Sequence, residues 1–116
     1  MTWDSLALLL SSWHYQHSCE LEFQDAVQKV LDFRHVVHER ERILGPRDRI
    51  DFLVEGGFGL ELKVKGSLSG VTRQIHRYLQ YPEVNGLVLL TTLHRHKNIP
   101  QEIKGKPVRV VVVSTL

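Results

Sequence analysis

The chain has 116 residues, 42% hydrophobic and 24% charged, which is ordinary for a globular protein and enough for one core but not two. No apolar run approaches the roughly 20 residues of a membrane span, and the run Leu6 to Leu10 lacks the basic flank of a signal peptide, so no membrane association and a cytoplasmic location are the default expectations. The lone Cys19 excludes an internal disulfide and a multi-cysteine zinc site. A net charge of +2 does not announce a nucleic-acid partner, but the cations are bunched. Arg34, His35, His38, Arg40, Arg42, Arg47 and Arg49 precede a mid-chain acidic hairpin, Arg73, His76 and Arg77 follow it, and residues 94–97 add a basic loop. Such patches suit phosphate backbones; for any single residue the plainer reading is a solvated face, broken up by Glu39, Glu41 and Asp48.

A single domain is expected over residues 1–116, with residues 1–14 a helical extension and residues 20–114 the core. Residues 2–13 read as a short helix capped by Thr2, with Trp3, Leu6, Leu9, Leu10 and Trp13 at helical spacing; this stripe either covers the domain's own core or forms a dimer contact. Phe23, Ala26, Val27, Val30 and Leu31 predict a helix over residues 20–33. Glu20 falls at the end of that inward stripe, where it serves either as a complement to the helix N-terminus or as a ligand. Residues 36–44 read as a strand and Gly45-Pro46-Arg47-Asp48 as a turn into the hairpin. After a break at residues 66–69, Ser69 is the expected cap of a helix running to about Tyr81. Val71, Gln74, Ile75 and Tyr78 share one stripe of it, while Arg73, His76, Arg77 and Gln80 point away. The continuous apolar runs 87–92 and 108–114 suit buried strands, joined by a basic, polar loop over residues 94–107. The fold class is therefore α/β: helix, three-strand meander, helix, strand, with a mixed central sheet flanked by helices.

The hairpin carries the chemistry. Ile50, Phe52 and Val54 alternate with Asp51, and Leu60, Leu62 and Val64 alternate with Glu61 and Lys63. A three-residue loop of Glu55, Gly56 and Gly57 pairs Val54 with Phe58 and sets Asp51 across from Glu61. A two-residue loop would send the carboxylates to opposite faces. The odd loop is the reading adopted, since it also keeps Ile50, Phe52, Leu60 and Leu62 on one core side. Two carboxylates about 5 Å apart repel, and Lys63 offsets only part of that charge. A hard divalent cation completes the balance, and a neighbouring lysine can position or help deprotonate an attacking water. The plainer alternative is a surface hairpin with a cross-strand salt bridge. An inward Gln74 needs partners, either the carboxylate cluster, a water, or solvent at the stripe's edge. The histidines show no HExxH or other tight ligand spacing, so His94 and His96 read as phosphate-facing or inert. No GxSxG elbow, P-loop or GxGxxG fingerprint is present.

Asp51 at the end of an apolar strand, the triplet Glu61-Leu62-Lys63, Gln74 in Gln-Ile-His-Arg-Tyr, and Glu20 on the preceding helix together resemble the PD-(D/E)xK nuclease superfamily, with the similarity running from about Glu20 to Thr92. The resemblance implies a restriction endonuclease-like core. It implies that Asp51, Glu61 and the Leu62 carbonyl bind Mg²⁺ or Mn²⁺, with Glu20 as a further ligand and Glu22 or Gln24 as its substitutes. It implies that Lys63 aligns the water attacking a phosphodiester and that Gln74 orients Lys63 or the phosphate. Arg47, Arg49, Lys65, Arg73 and Arg77 are the candidate contacts to nucleic acid. The proline of the family pattern is replaced by Ile50. In size the chain is similar to archaeal-type Holliday junction resolvases and to VRR-NUC modules, which implies a structure-selective endonuclease acting on branched or duplex DNA as a homodimer. A nuclease-like fold kept as a non-catalytic nucleic-acid- or partner-binding module is the alternative.

Overall fold

Residues 1–113 are described by the computed structural model. The N-terminal stripe forms α1, Trp3–Ser11, opened by a reciprocal cap in which Thr2 Oγ1 accepts the Ser5 N–H at 3.0 Å and Ser5 Oγ accepts the Thr2 N–H at 2.8 Å. Leu6 and Leu10 are fully buried, and the Trp3 ring lies 4.2 Å from that of Phe58. The stripe therefore covers this chain's own sheet and is not free as the dimer contact the sequence left open; Leu8 is the helix's exposed large apolar side chain. Helix α2 spans Glu20–Phe33, the expected bounds, and buries Phe23, Val27, Val30 and Leu31 on the same side of the sheet.

Three antiparallel strands follow: β1, His38–Gly45, β2, Asp48–Val54, and β3, Phe58–Lys63. Val54 pairs with Phe58, Leu53 with Gly59 and Phe52 with Leu60, which is the register of the three-residue loop. Gly56 and Gly57 sit at φ of +97° and +83°, a region that side-chain-bearing residues enter only at a cost. A Cβ at Gly57 would also run into the Asn85 side chain, whose Nδ2 donates to the Gly56 carbonyl at 2.9 Å. Gly57→Ala is expected to destabilise the chain by about 1–3 kcal/mol, read from equilibrium urea unfolding.

One expectation about faces fails. Ile50 does not join Phe52, Leu60 and Leu62; it packs with Leu87 and Leu89 on the opposite side of the sheet, its Cδ1 against Gly59. The alternation of β2 breaks at Asp51, because the Asp51 N–H is taken by the Glu61 carboxylate at 3.2 Å and the regular pairing with β3 stops at Phe52.

Helix α3 covers Leu68–Tyr78, not the expected span to Tyr81, and its cap is Ser67 rather than Ser69. Gly66 at φ +119° turns the chain so that the helix starts two residues earlier, and Ser67 Oγ accepts the Gly70 N–H at 3.0 Å. Beyond its other end, Lys106 Nζ donates to the carbonyls of Leu79, Tyr81 and Val84 at 2.8, 3.2 and 2.6 Å, fixing a turn where the sequence suggested more helix. Strands β4, Gly86–Thr91, and β6, Lys106–Val112, run parallel to β3. Ser114, expected at the end of the last strand, lies outside the described residues. The connection read as loop contains a 3-10 helix, His94–Asn98, and a two-residue strand β5, Glu102–Ile103, antiparallel to β6.

The result is a mixed six-stranded sheet of order β1-β2-β3-β4-β6-β5, with α1 and α2 on one face and α3 with the 3-10 helix on the other. The outer strand β1 carries Glu39, Arg40, Glu41 and Arg42, charges that discourage a further strand from pairing there. Among the described residues no helix is long and apolar enough to cross a membrane.

Candidate active site

Where β2 and β3 part, the two acids fill the gap in place of ladder bonds. Asp51 Oδ2 accepts the Leu62 N–H at 2.8 Å, while Glu61 Oε1 accepts the Asp51 N–H at 3.2 Å. In an extended strand a residue's N–H and C=O point to the same neighbour. The Leu62 N–H faces β2, whereas the Lys63 carbonyl faces β4 and accepts the Thr92 N–H at 3.1 Å, so the Leu62 carbonyl is directed to the side of Asp51.

Glu61 is 3% exposed. Its Oε2 lies 3.5 Å from Lys63 Nζ and 3.5 Å from the Tyr78 hydroxyl, which accepts from Gln74 Nε2 at 2.8 Å and donates to the Arg49 carbonyl at 3.1 Å. From the other face Gln24, also buried, donates from Nε2 to Asp51 Oδ1 at 2.9 Å. The pair is thus gripped by one helix from each side of the sheet. Burial pushes the Asp51 carboxyl up to about 6, with the charge of Glu20 adding to the rise and the Leu62 N–H and Lys63 opposing it. Burial, and then the charge of Asp51, pushes Glu61 well above the ordinary carboxylate range against the pull of Lys63. Tyr78 is raised by its own burial and by the acids beside it.

Lys63 belongs both to this pair and to a surface cleft of about 380 Å³, where it meets Glu20, Lys65, Ser67, Gln74 and Arg77. The structure therefore brings together Asp51, Glu61, Leu62 and Lys63, with Gln74 one hydrogen bond away through Tyr78 and Glu20 at the cleft wall. Gln74 holds the Tyr78 hydroxyl rather than Lys63. Of the expected phosphate contacts, Lys65 and Arg77 line the cleft. Arg77 is also bonded to Asp48 at 3.1 Å, and Asp48 accepts from Tyr81 at 2.7 Å, contacts that lower the Asp48 carboxyl. Arg73 is exposed one turn earlier on α3; Arg47 sits exposed in the β1–β2 turn, and Arg49 pairs with Glu41 at 3.4 Å. His96 is not phosphate-facing. It is fully buried, with Nδ1 at 2.7 Å from Thr91 Oγ1 and Nε2 at 2.9 Å from the Gly66 carbonyl. A carbonyl only accepts, so Nε2 carries the proton and the ring pins the loop that follows Lys65.

The residues fit a divalent cation in one particular way. Among the described residues no group of three or more His, Cys, Asp or Glu side chains is placed to hold a metal. What exists is two adjacent, desolvated carboxylates and a backbone carbonyl directed to their side, which suits Mg²⁺, an ion that keeps most of its waters and takes one or two carboxylates plus substrate phosphate.

Sequence reasoning missed Tyr78, read only as an apolar stripe member, and undervalued Gln24. A signal for Gln24 existed: Gln24 and Gln28 stand four apart, on one helix face, and both bond Arg40. Compared with protein-family models, with characterised proteins and with solved structures, the chain matches none.

Proposed function

We propose that this chain is a metal-dependent endonuclease of the PD-(D/E)xK kind, hydrolysing phosphodiester bonds of branched or duplex DNA. The observation that carries the reading is the buried pair Asp51 and Glu61, cross-bonded through each other's strand, with Lys63 Nζ 3.5 Å from Glu61 and open to the cleft. A salt-bridged surface hairpin gives no reason to bury two acids together.

Asp51, Glu61 and the Leu62 carbonyl would hold Mg²⁺ or Mn²⁺, with Glu20, at the cleft wall, as a further ligand; bound there, the ion would supply Lewis-acid polarisation of the phosphate and a more acidic water. Lys63, which lines the cleft, orients the attacking water, and Lys65 and Arg77 hold the phosphate. Gln74 and the Arg49 carbonyl fix the Tyr78 hydroxyl beside Glu61. Pairing of two copies would present two such clefts to a branched substrate. A non-catalytic binding module is the second reading, favoured by the absence among the described residues of a cluster of three ligating side chains.

The test is cleavage of labelled linear duplex, single strand, flap and four-way junction DNA with Mg²⁺, Mn²⁺ or EDTA. Cutting with metal and none in EDTA is expected, with Lys63→Ala slowing it about 10²- to 10⁴-fold. No cutting of any substrate with either metal, or a Lys63→Ala chain as fast as the parent, overturns the nuclease reading. DNA binding should also weaken steeply with added salt, because phosphate contacts release counterions.

A further inference from the structure

Asp51 is held by an arrangement that extends well beyond the acid pair. Gln24, 7% exposed, donates from Nε2 to Asp51 Oδ1 at 2.9 Å and accepts on Oε1 from Arg40 Nε at 3.1 Å. Arg40, on β1, is itself fixed on α2: its Nη1 donates to Gln28 Oε1 at 2.8 Å and lies 2.8 Å from Asp25 Oδ1, and its guanidinium sits 6.0 Å from the centre of the Phe52 ring.

The chemistry permits one orientation of the Gln24 amide. A guanidinium has donors only, so the amide oxygen must face Arg40 and the amide NH₂ must face Asp51. Turning the amide over would set donor against donor and oxygen against carboxylate. With the Leu62 N–H on Oδ2 at 2.8 Å, each Asp51 oxygen has one fixed donor, which sets the rotation of the carboxylate and leaves its remaining lone pairs for a cation.

We propose that Gln24 is the positioning residue of Asp51 and that Arg40, by fixing the Gln24 amide, sets how tightly the acid pair takes a divalent cation. The proposal rests on the metal reading above. Gln24 and Arg40 touch neither metal nor substrate; they act through Asp51. Arg40, with its side chain 25% exposed, and Asp25, at 57%, bring the relay to the surface of α2, away from the cleft.

The test titrates the full chain with Mn²⁺ alone and follows the free ion by electron paramagnetic resonance, with thermal melts in EDTA as the check on folding. Parent, Gln24→Leu, Arg40→Met, Arg40→Lys and the double variant Gln24→Leu/Arg40→Met are compared. Loss of a group that orients a metal ligand weakens affinity about 10- to 100-fold, and that is expected for Gln24→Leu and, more mildly, for Arg40→Met. Arg40→Lys, still able to donate to the Gln24 oxygen, should regain most of the loss. Because Arg40 acts through Gln24, the double variant should bind no more weakly than Gln24→Leu. Gln24→Leu affinity equal to the parent's, or additive losses in the double variant, overturns the relay while leaving the metal site standing. A parent that binds no Mn²⁺ overturns the metal reading and the relay with it. If Gln24→Leu does not fold, Arg40→Met and Arg40→Lys decide: equal affinity in both and in the parent overturns the proposal.

Discussion

A Glu61→Gln chain is expected to melt higher than the parent in EDTA and to cut no DNA. Glu61 is buried beside a second carboxylate, and its burial and the charge of Asp51 are the leading causes of its raised pKa. Neutralising one member of a desolvated like-charge pair removes that repulsion without changing shape. The amide oxygen can still accept the Asp51 N–H, and its NH₂ can donate to the Tyr78 hydroxyl, whose own proton goes to the Arg49 carbonyl. Lys63 loses its partner, yet its side chain is 16% exposed and lines the cleft, so it can turn to water. The net gain is on the order of 1–2 kcal/mol, a rise of several degrees in melting temperature for a chain of this size. Cleavage should fall further than the about 10- to 100-fold that follows loss of a group merely bracing a ligand. Differential scanning fluorimetry in EDTA beside the nuclease assay reads both. A lower melting temperature together with retained cutting would mean that Glu61 is an ordinary buried salt-bridge partner.

The metal-free parent should also be more stable at pH 5 than at pH 8. For an acid whose folded pKa is raised, the folded state binds the proton more tightly than the unfolded chain, so stability grows as pH falls through the folded value and stops growing near the unfolded one. Asp51, raised from 3.8 to about 6, puts its window between about pH 6 and pH 4, and Glu61, raised well above 4.5, widens it upward. Of the roughly 3 kcal/mol that Asp51 contributes over its whole window, about 1–1.5 kcal/mol is gained between pH 8 and pH 5. The groups facing the pair are Lys63 from β3, Glu20 and Gln24 from α2 and Tyr78 from α3. Asp48 works in the opposite sense: lowered by Tyr81 and Arg77, it supplies stability that is lost as pH falls below about 4, which is why pH 5 is the lower point. Melts of the parent and of Asp51→Asn/Glu61→Gln at both pH values isolate the pair, and the double variant should show a clearly smaller difference. Saturating Mg²⁺ should flatten the parent's slope, since the ion binds the ionised folded form. A parent slope equal to the double variant's would show that the acids are not coupled to folding.

The hairpin was legible because its signals agree. Two glycines fit the positive φ of a three-residue loop, and the alternation of Phe52, Val54, Leu60 and Leu62 admits one register with those residues on one face. The α2 bounds followed from a clean helical period. Ile50 was misread because alternation presumes a regular ladder, and the ladder ends where side-chain carboxylates take the backbone N–H groups. The start of α3 was displaced because the turn at Gly66, not the best-looking serine, sets which residue stays extended. Neither Tyr78 as the neighbour of Glu61 nor His96 as the pin of Gly66 has a local sequence signature, since their partners lie 17 and 30 residues away. Such contacts are decided by packing between elements.

The order in which the sheet can assemble gives the acid pair a further meaning. The β2–β3 pairing closes a three-residue loop, whereas β3–β4 must wait for α3 and β4–β6 for the long connection between them. Local contacts form with little loss of chain entropy and long-range ones later, so Asp51 and Glu61 come together while still hydrated. They lose water only when α2 and α3 close over the hairpin from either side. On that order the repulsion between them opposes the docking of the helices more than the turn that joins the strands, and the pH dependence of folding is expected to fall on helix closure.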